Sequence, residues 1–251
     1  MQTDSHRSTD HTSTYKAPNP GRFLIPPSQR RRFLIQFTFM TCLGWVVGGL
    51  ASLALENILV SLPSAVYQDS QIVHTLSGFL SSLLFALIFA ADQALVVRRY
   101  LSGWLWMLAT SVGWLVANSI STAWINYISS IASSLNESLS TDAMLVLGFL
   151  STLSYIISGI WLGLFQWLVL RRCTVGAWWW NFLPTISFFF ISMLVWLLSL
   201  IHDLIPVAYR AAILYWSQQG FTAVILSVIP AIGLCKLKIN SHHKTGIYSS
   251  T

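Results

Sequence analysis

The stretch FQWLVLRRCTVGAWWW, residues 165–180, joins two long apolar runs through a short basic turn. The first run ends at Arg171 and Arg172, and the second begins within a few residues at three consecutive tryptophans. Arg and Trp side chains are both enriched where spanning helices meet the membrane surface. The stretch therefore predicts the cytoplasmic turn of a transmembrane hairpin, and the rest of the chain can be compared with it.

The composition of the chain is that of a protein whose solvent is mostly lipid. Of its 251 residues, 55% are hydrophobic and only 9% are charged, against about 25% charged in a typical soluble domain. The net charge of +6 comes from basic residues at the ends of apolar runs, which favours membrane topology over nucleic-acid binding. The three cysteines, Cys42, Cys173 and Cys235, are isolated, so we expect packing residues rather than disulfides or metal ligands.

Six apolar segments are long enough, or nearly so, to cross about 30 Å of hydrocarbon. The predicted spans lie at about 33–55, 73–97, 102–124, 143–170, 177–201 and 221–235. The last is short and contains Pro230. Residues 1–29 are polar and then proline-rich, and they predict a disordered cytoplasmic tail before a transmembrane domain at 30–238. A second cytoplasmic tail follows at 239–251.

The basic residues predict the orientation of these spans. Every Lys and Arg except Arg210 falls on one side of the six-span arrangement, and cytoplasmic loops are the ones that carry such an excess. The topology is set by the pairs between spans, Arg98, Arg99, Arg171 and Arg172. Both termini are therefore expected in the cytoplasm.

A fainter copy of the opening stretch, DQALVVRRYLSGWLW, occupies residues 92–106. Aligned on the basic residues, the spans that follow begin with aromatic pairs: Phe37 and Phe39, Trp104 and Trp106, Trp178 and Trp180. Gly-Phe pairs open the other spans: Gly78-Phe79, Gly148-Phe149 and Gly220-Phe221. The fold class predicted is an all-α membrane protein built from three parallel two-helix repeats.

Small residues and a glutamine share one face of each of two spans. The positions are Ala86, Ala90 and Gln93 in the second span, and Gly159, Gly163 and Gln166 in the fourth. Spacings of four and seven residues place such side chains on one stripe of a helix. Small residues allow helix backbones to approach, and a Gln can bond across the contact, so helix packing is the first interpretation. The alternative is that Gln93 and Gln166 line a polar path.

Asp92 is the carboxylate that lies well inside a predicted span, and an acid in that position suggests function. It is only six residues from Arg98, or roughly 9 Å of helix rise, so it can reach the inner interface. We expect an acid that is solvated or paired with Arg99, with a proton or cation site as the alternative.

No pattern typical of catalysis is present. The sequence has no Gly-x-Ser-x-Gly elbow, no His-Glu-x-x-His, no phosphate-binding glycine loop and no Cys pair at metal spacing. We therefore expect no enzyme activity, no catalytic residue, no metal and no cofactor.

The segment GIWLGLFQWLVLRRCTVGAWWW resembles a pattern found in uncharacterised bacterial multi-pass membrane proteins, many of them from cyanobacteria. The resemblance is carried by Gly159, Gly163 and the run from Gln166 to Arg172. The copy before Arg98 has alanines in place of the glycines and Ala94 in place of the Trp. The resemblance implies a membrane fold and a photosynthetic bacterial source, and thus a location in the bacterial inner membrane, with the thylakoid as the alternative. It implies no activity.

Two functions follow as expectations. The first is a structural or interaction protein, embedded in the lipid bilayer beside a membrane-protein partner or a second copy of itself, because the recurring residues are small, aromatic or topology-setting. The alternative is a small-solute or ion transporter or channel that uses the Gln stripe and Asp92.

Overall fold

The computed structural model describes residues 22–61, 70–134 and 141–240, which are mostly helical. The α-helices are α1 Arg30–Ser61, α2 Ser70–Val97, α3 Gly103–Ser134, α4 Thr141–Leu170, α5 Leu183–Leu200 and α6 Val207–Lys236. Short 3₁₀ helices lie at Pro27–Gln29, Ala177–Phe182 and His202–Leu204. Two short strands, β1 Thr174–Val175 and β2 Lys238–Ile239, pair antiparallel.

Five of the six helices contain a stretch that is long and apolar enough to cross a membrane, as judged by length and composition. The stretches are Pro27–Leu59, Thr75–Val97, Leu145–Leu170, Ala177–Leu200 and Val207–Lys236. The exception is α3, which has 32 residues but carries many Ser, Thr and Asn side chains. The described residues thus form a helical protein with six α-helices, five of which are compatible with membrane spans.

The six helices form a closed ring of antiparallel neighbours. Each helix packs against the next one in the chain, and α6 packs against α1. The longest contacts are those within the hairpins α1-α2 and α3-α4. Because the connections between helices are short, α1, α3 and α5 begin at the same end of the ring at which α2, α4 and α6 finish. We call this the basic end, and the opposite end the far end.

The main core lies at the basic end and draws on all six helices. Its largest fully buried side chains include Trp106, Trp180, Phe33 and Phe37. Leu170 and Leu234 contribute the ends of α4 and α6 to the same cluster. The shared core holds the helix ends together and brings the basic turns to one side of the molecule.

A second cluster, rich in aromatic rings, lies farther along the helices. Trp45 of α1 meets Phe85 of α2 edge-on, with ring centroids 5.1 Å apart, and Trp114 of α3 meets Phe188 of α5 in the same way at 6.3 Å. Such edge-to-face contacts are favourable for rings at these distances. These contacts join α1 to α2 and α3 to α5 near the middle of the helix bundle.

The chain segments before α1 and after α6 form a cap over the basic end. The backbone N–H of Leu24 donates to the carbonyl of Leu237 at 2.8 Å, and that of Ile239 donates to the carbonyl of Arg22 at 2.7 Å. Strand β2 pairs in turn with β1, which lies in the α4-α5 connection. Gly176 follows β1 with φ +68°, a left-handed conformation that glycine adopts without strain. Three distant parts of the chain thus meet in one small sheet-like cap.

The cap changes the boundary of the predicted tail. Residues 22–29 fall within the 1–29 segment expected to be disordered, yet Leu24 and Ile25 are buried in the main core. Burial of these two side chains and the backbone pairing with residues 237–239 supply the ordering energy that the polar residues lack. Residues 1–21 and 241–251 of the two predicted tails lie outside the described residues.

The helices extend beyond the predicted spans toward the far end. Helix α3 continues to Ser134 where a span to about 124 was expected, and α6 begins at Val207 rather than near 221. The sixth helix is therefore not short, and Pro230 lies within it without ending it. Helix α5 begins at Leu183 because the first six residues of the predicted span form the 3₁₀ helix Ala177–Phe182.

Candidate functional site

Gln166 joins three chain segments through both ends of its amide. Its Oε1 accepts a hydrogen bond from the indole Nε1 of Trp180 at 3.0 Å, and its Nε2 donates to Thr110 Oγ1 at 3.1 Å. All three side chains are buried. Helix α4 is thereby tied to α3 and to the 3₁₀ helix that precedes α5.

Gln93 makes the corresponding contact earlier in the chain, between α2 and α3. Its Oε1 accepts a hydrogen bond from Trp106 Nε1 at 3.3 Å, and both side chains are buried. The Gln and Trp are 13 residues apart here and 14 apart in the pair of Gln166 and Trp180. The extra residue lies between the arginine pair and the Trp, because Trp106 is eight residues after Arg98 and Trp180 is nine residues after Arg171.

The two pairs meet at their indole rings. Trp106 and Trp180 are both fully buried, and their ring centroids lie 5.9 Å apart in an edge-to-face arrangement. The polar atoms of both indoles are used by the glutamines. Gln93 and Gln166 therefore belong to a connected, internally bonded network in the protein core.

The third hairpin has no counterpart of these glutamines. Ala231 lies five residues before Lys236, as Gln93 lies five residues before Arg98, and it is fully buried in the main core. The aromatic residue supplied by α1 is Phe37, which is buried, whereas Phe39 is 65% exposed. In the other two units the second aromatic of each pair is the buried one, so the aromatic alignment of the first unit is shifted by two residues.

The small residues of the two stripes lie at close helix contacts. Ala86 and Ala90 are fully buried, and the carbonyl of Ala86 accepts a hydrogen bond from Ser111 Oγ of α3 at 3.2 Å. A Cβ placed on Gly159 would lie 2.8 Å from the backbone N of Thr185, and one on Gly163 would overlap the backbone of Asn181. Because Gly159 and Gly163 have no side chain, the start of α5 and the residues before it pack closely against α4.

Asp92 lies at the contact between α1 and α2. Its side chain is half-buried, and a Cβ on Gly44 would approach its Oδ2 to 2.7 Å. Within the described ranges, Asp92 forms no ion pair with Arg99 or with any other cation. Of the two expected states of Asp92, solvated or paired with Arg99, the described residues do not show the pair, and the carboxylate packs against the backbone of α1 at Gly44.

The four arginines that were expected to set the topology are exposed at the turns of the basic end. Arg98 and Arg99 follow α2, and Arg171 and Arg172 follow α4. The guanidinium of Arg171 lies 5.1 Å from the ring centroid of Trp167, a cation-π distance. Among residues 22–61, 70–134 and 141–240, no three His, Cys, Asp or Glu side chains lie together as metal ligands would.

The sequence did not single out Thr110 and Ser111, two residues that connect α3 to its neighbours. Both are buried, and both bond to a residue of one of the small-residue stripes. Their signal is the hydroxyl residues in the middle of an otherwise apolar helix, which more often bond to a neighbouring helix than to a ligand.

The class of protein that the geometry defines is a ring of six helices, tied at one end by Gln-Trp contacts, with five helices suited to a membrane. Comparison of the chain with protein-family models, with curated proteins and with solved structures gives no match. The function is therefore argued from the geometry of the chain itself.

Proposed function

We propose that this chain is a multi-pass membrane protein whose role is structural: it binds a membrane-protein partner or a second copy of itself and performs no catalysis. In this proposal all six helices cross the membrane, both termini are cytoplasmic, and the three hairpins are parallel repeats. The sequence resemblance to cyanobacterial membrane proteins suggests the inner membrane or thylakoid of such a bacterium.

The membrane part of the proposal includes α3, although its composition alone does not require it. Helix α3 lies between α2 and α4 in the ring and contacts both. Its hydroxyl side chains at Thr110 and Ser111 are bonded within the bundle, which lowers the cost of placing them in lipid. A helix in that position shares the environment of its two neighbours.

The observation that carries the interaction role is the uncovered face of the even-numbered helices toward the far end. Each has a Gly-Phe pair there, at Gly78, Gly148 and Gly220 followed by an exposed Phe. A Cβ on any of these three glycines would meet no atom of the described residues within 4 Å. Glycine allows another helix to approach closely in a membrane, and an adjacent Phe adds contact area. In contrast, Gly159 and Gly163 are already covered within the bundle.

The experiment tests the three uncovered glycines, which lie on three separate sides of the ring, as sites of helix contact. The triple variant Gly78→Leu/Gly148→Leu/Gly220→Leu fills open space, so it is expected to fold and insert, but it blocks close helix approach. Co-purification of partners from native membranes, or self-association in mild detergent, is expected to fall at least about tenfold. Gly49→Leu is the matched control, because a Cβ on Gly49 of α1 also meets nothing within 4 Å.

Two results would contradict the interaction role. One is a wild-type protein that migrates as a single copy without any co-purifying membrane protein under the mildest extraction that solubilises it. The other is a glycine triple variant that retains its partner as well as Gly49→Leu does.

A second candidate function, transport of a small solute or ion, rests on Asp92. Its carboxylate lies between α1 and α2 without an ion-pair partner in the described part of the chain. An unpaired carboxylate between spanning helices is the kind of group that proton and cation pathways use. The bonded state of Gln93 and Gln166 does not favour a path through those two residues.

The transport alternative is tested in liposomes that contain the purified protein. Proton, ion and solute flux is compared for wild type, Asp92→Asn and the double variant Gln93→Ala/Gln166→Ala. Flux above that of empty vesicles which Asp92→Asn abolishes would favour transport over the structural role. The absence of flux in wild type across a broad panel would remove the alternative.

A further inference from the structure

A groove at the basic end lies between the start of α1 and the turn that follows α2. It encloses a cavity of about 270 Å³. Its lining residues are Gln29, Arg32, Phe33, Gln36, Arg99 and Tyr100. We propose that this groove binds the phosphate headgroup of an anionic phospholipid from the cytoplasmic leaflet.

Two guanidinium groups supply the charge of the groove. Arg32 comes from the first turn of α1 and Arg99 from the turn after α2, so the two approach the cavity from different elements. Neither Arg forms an ion pair with any carboxylate of the described chain, and no Asp or Glu lines the cavity. The planar fork of a guanidinium matches two phosphate oxygens, which makes a phosphodiester a fitting ligand.

Neutral groups complete the lining. The hydroxyl of Tyr100 donates a hydrogen bond to Gln29 Oε1 at 3.1 Å, which leaves the amide NH₂ of Gln29 free to donate to a ligand. The ring of Tyr100 is fixed against Phe33 edge-on, with centroids 5.5 Å apart. Phe33 itself is buried in the main core. The groove therefore has an aromatic side that is packed on the main core, and several hydrogen-bond donors in its lining.

The surface next to the groove favours a lipid over a free anion. On α1, Gln36, Phe39 and Leu43 follow Arg32 at helical spacing, and the two apolar side chains are exposed. On α2, the exposed Leu95 lies four residues before Arg99, close to the end of the helix. Acyl chains would lie along these apolar side chains while the phosphate meets the arginines. This step rests on the proposal that α1 and α2 span the membrane.

The test measures lipid binding to the full-length protein in a zwitterionic detergent. Phosphatidylglycerol is titrated in, with bound lipid counted by native mass spectrometry and the unfolding temperature followed in parallel. The variant Arg32→Gln/Arg99→Gln is expected to bind this lipid at least about tenfold more weakly, because it removes both guanidinium groups that would bond directly to the phosphate. The matched control is Arg31→Gln/Arg98→Gln, which removes the same charge from exposed neighbours that do not line the cavity, and it is expected to stay within about twofold of wild type.

Each other outcome overturns the proposal. Equal loss in the two double variants would mean general attraction to a basic surface. Binding of phosphatidylcholine as tight as that of phosphatidylglycerol would mean that the groove does not select for a net negative charge. Stabilisation by inorganic phosphate or glycerol phosphate as strong as that by phosphatidylglycerol would mean a soluble-anion site.

A third variant keeps the test usable if loss of two charges disturbs insertion. Arg99→Lys retains the charge, and thus the topology signal, but lacks the guanidinium fork, so binding is expected to fall about threefold. Unchanged binding by Arg99→Lys together with a misfolded double variant would count against a shaped phosphate site. Lipid binding is measured independently of the Gly-Phe pairs, so a negative result here does not affect the proposed partner binding. A protein that does not co-migrate with membranes in a flotation gradient would instead overturn the proposal that the helices span the membrane.

Discussion

The indole Nε1 of Trp180 donates a hydrogen bond to the side-chain oxygen of Gln166 at 3.0 Å, and both side chains are buried in the protein core. The same amide donates to Thr110 on α3. One side chain therefore satisfies two polar groups that belong to two different segments. Leaving a buried polar group without a partner costs more free energy than a typical hydrogen bond contributes to stability. The fold is therefore sensitive to substitution of Gln166.

Gln166→Leu is expected to lower the free energy of unfolding by about 1–3 kcal/mol, because it leaves the Trp180 N–H and the Thr110 hydroxyl without their partner. Unfolding in detergent, followed by far-UV circular dichroism, measures the loss. A double-mutant cycle with Trp180→Phe should give a coupling energy of about 1 kcal/mol.

The control for this cycle is Trp178→Phe. Trp178 is 65% exposed and forms no hydrogen bond with Gln166, so its coupling to Gln166→Leu should be near zero. A coupling for Trp180 no larger than that for Trp178 would mean that the observed hydrogen bond does not stabilise the fold.

Gly163→Ala is expected to destabilise the protein more than any other single alanine substitution at a glycine of α4. The added Cβ would overlap the backbone of Asn181, which cannot move without displacing the 3₁₀ helix and the start of α5. Overpacking of this kind typically costs about 1–3 kcal/mol, and backbone as the obstacle places it at the upper end. The measurement is the midpoint of thermal unfolding in detergent.

Gly148→Ala lies on the same helix and serves as the control. Its Cβ would meet no atom within 4 Å, and Ala is a better helix former than Gly by roughly 0.5–1 kcal/mol. We expect it to be neutral or slightly stabilising. The packing argument fails if the two substitutions lower the midpoint equally.

The sequence predicted the local parts of this arrangement and missed the nonlocal ones. Each of the helices α1 to α6 contains one of the predicted apolar runs, and the spacing of Gln93, Gln166 and the two stripes predicts that each glutamine shares a helix face with small residues. These inferences need only a few neighbouring residues. The pairing of Leu24 with Leu237 joins segments from opposite ends of the described chain, and no local pattern in residues 22–29 indicates a partner.

Two further differences have local physical causes. Phe37 rather than Phe39 is the buried aromatic of α1, because alignment on arginines does not fix the rotation of a helix that begins after a 3₁₀ turn. Asp92 does not pair with Arg99, because α2 ends at Val97 and the helical spacing of seven residues does not continue to Arg99. Asp92 packs against Gly44 of α1, whereas the Arg99 side chain extends to the groove at the basic end.

Ile25→Ala is expected to destabilise the basic end through loss of the cap. Ile25 is only 1% exposed and lies in the main core although it precedes every helix. Removal of a buried Ile side chain costs about 2–5 kcal/mol. Hydrogen exchange should increase first at the amides of Leu24 and Ile239, whose backbone bonds close the cap.

Val175→Ala is the corresponding control in the same cap. Val175 lies in β1 next to the buried Thr174, but its own side chain is exposed. We expect a change within about 0.5 kcal/mol. If Ile25→Ala is equally mild, residues 22–26 contribute no stability and the cap is not a part of the folded core.

The proposed orientation is tested by single cysteines at the two ends of the ring. Val175→Cys lies in the exposed part of the α4-α5 connection at the basic end, and Leu204→Cys lies in the 3₁₀ helix at the far end, where Leu204 is 82% exposed. In a background without the three native cysteines, a membrane-impermeant maleimide added to intact cells should label Leu204→Cys and leave Val175→Cys unlabelled. Val175→Cys should react only after the membrane is permeabilised, because basic turns remain in the cytoplasm. The opposite labelling would mean that the topology is the inverse of the proposed one, with the groove of Arg32 and Arg99 at the outer leaflet. Labelling of both positions in intact cells would mean that the two ends of the ring are not separated by a membrane.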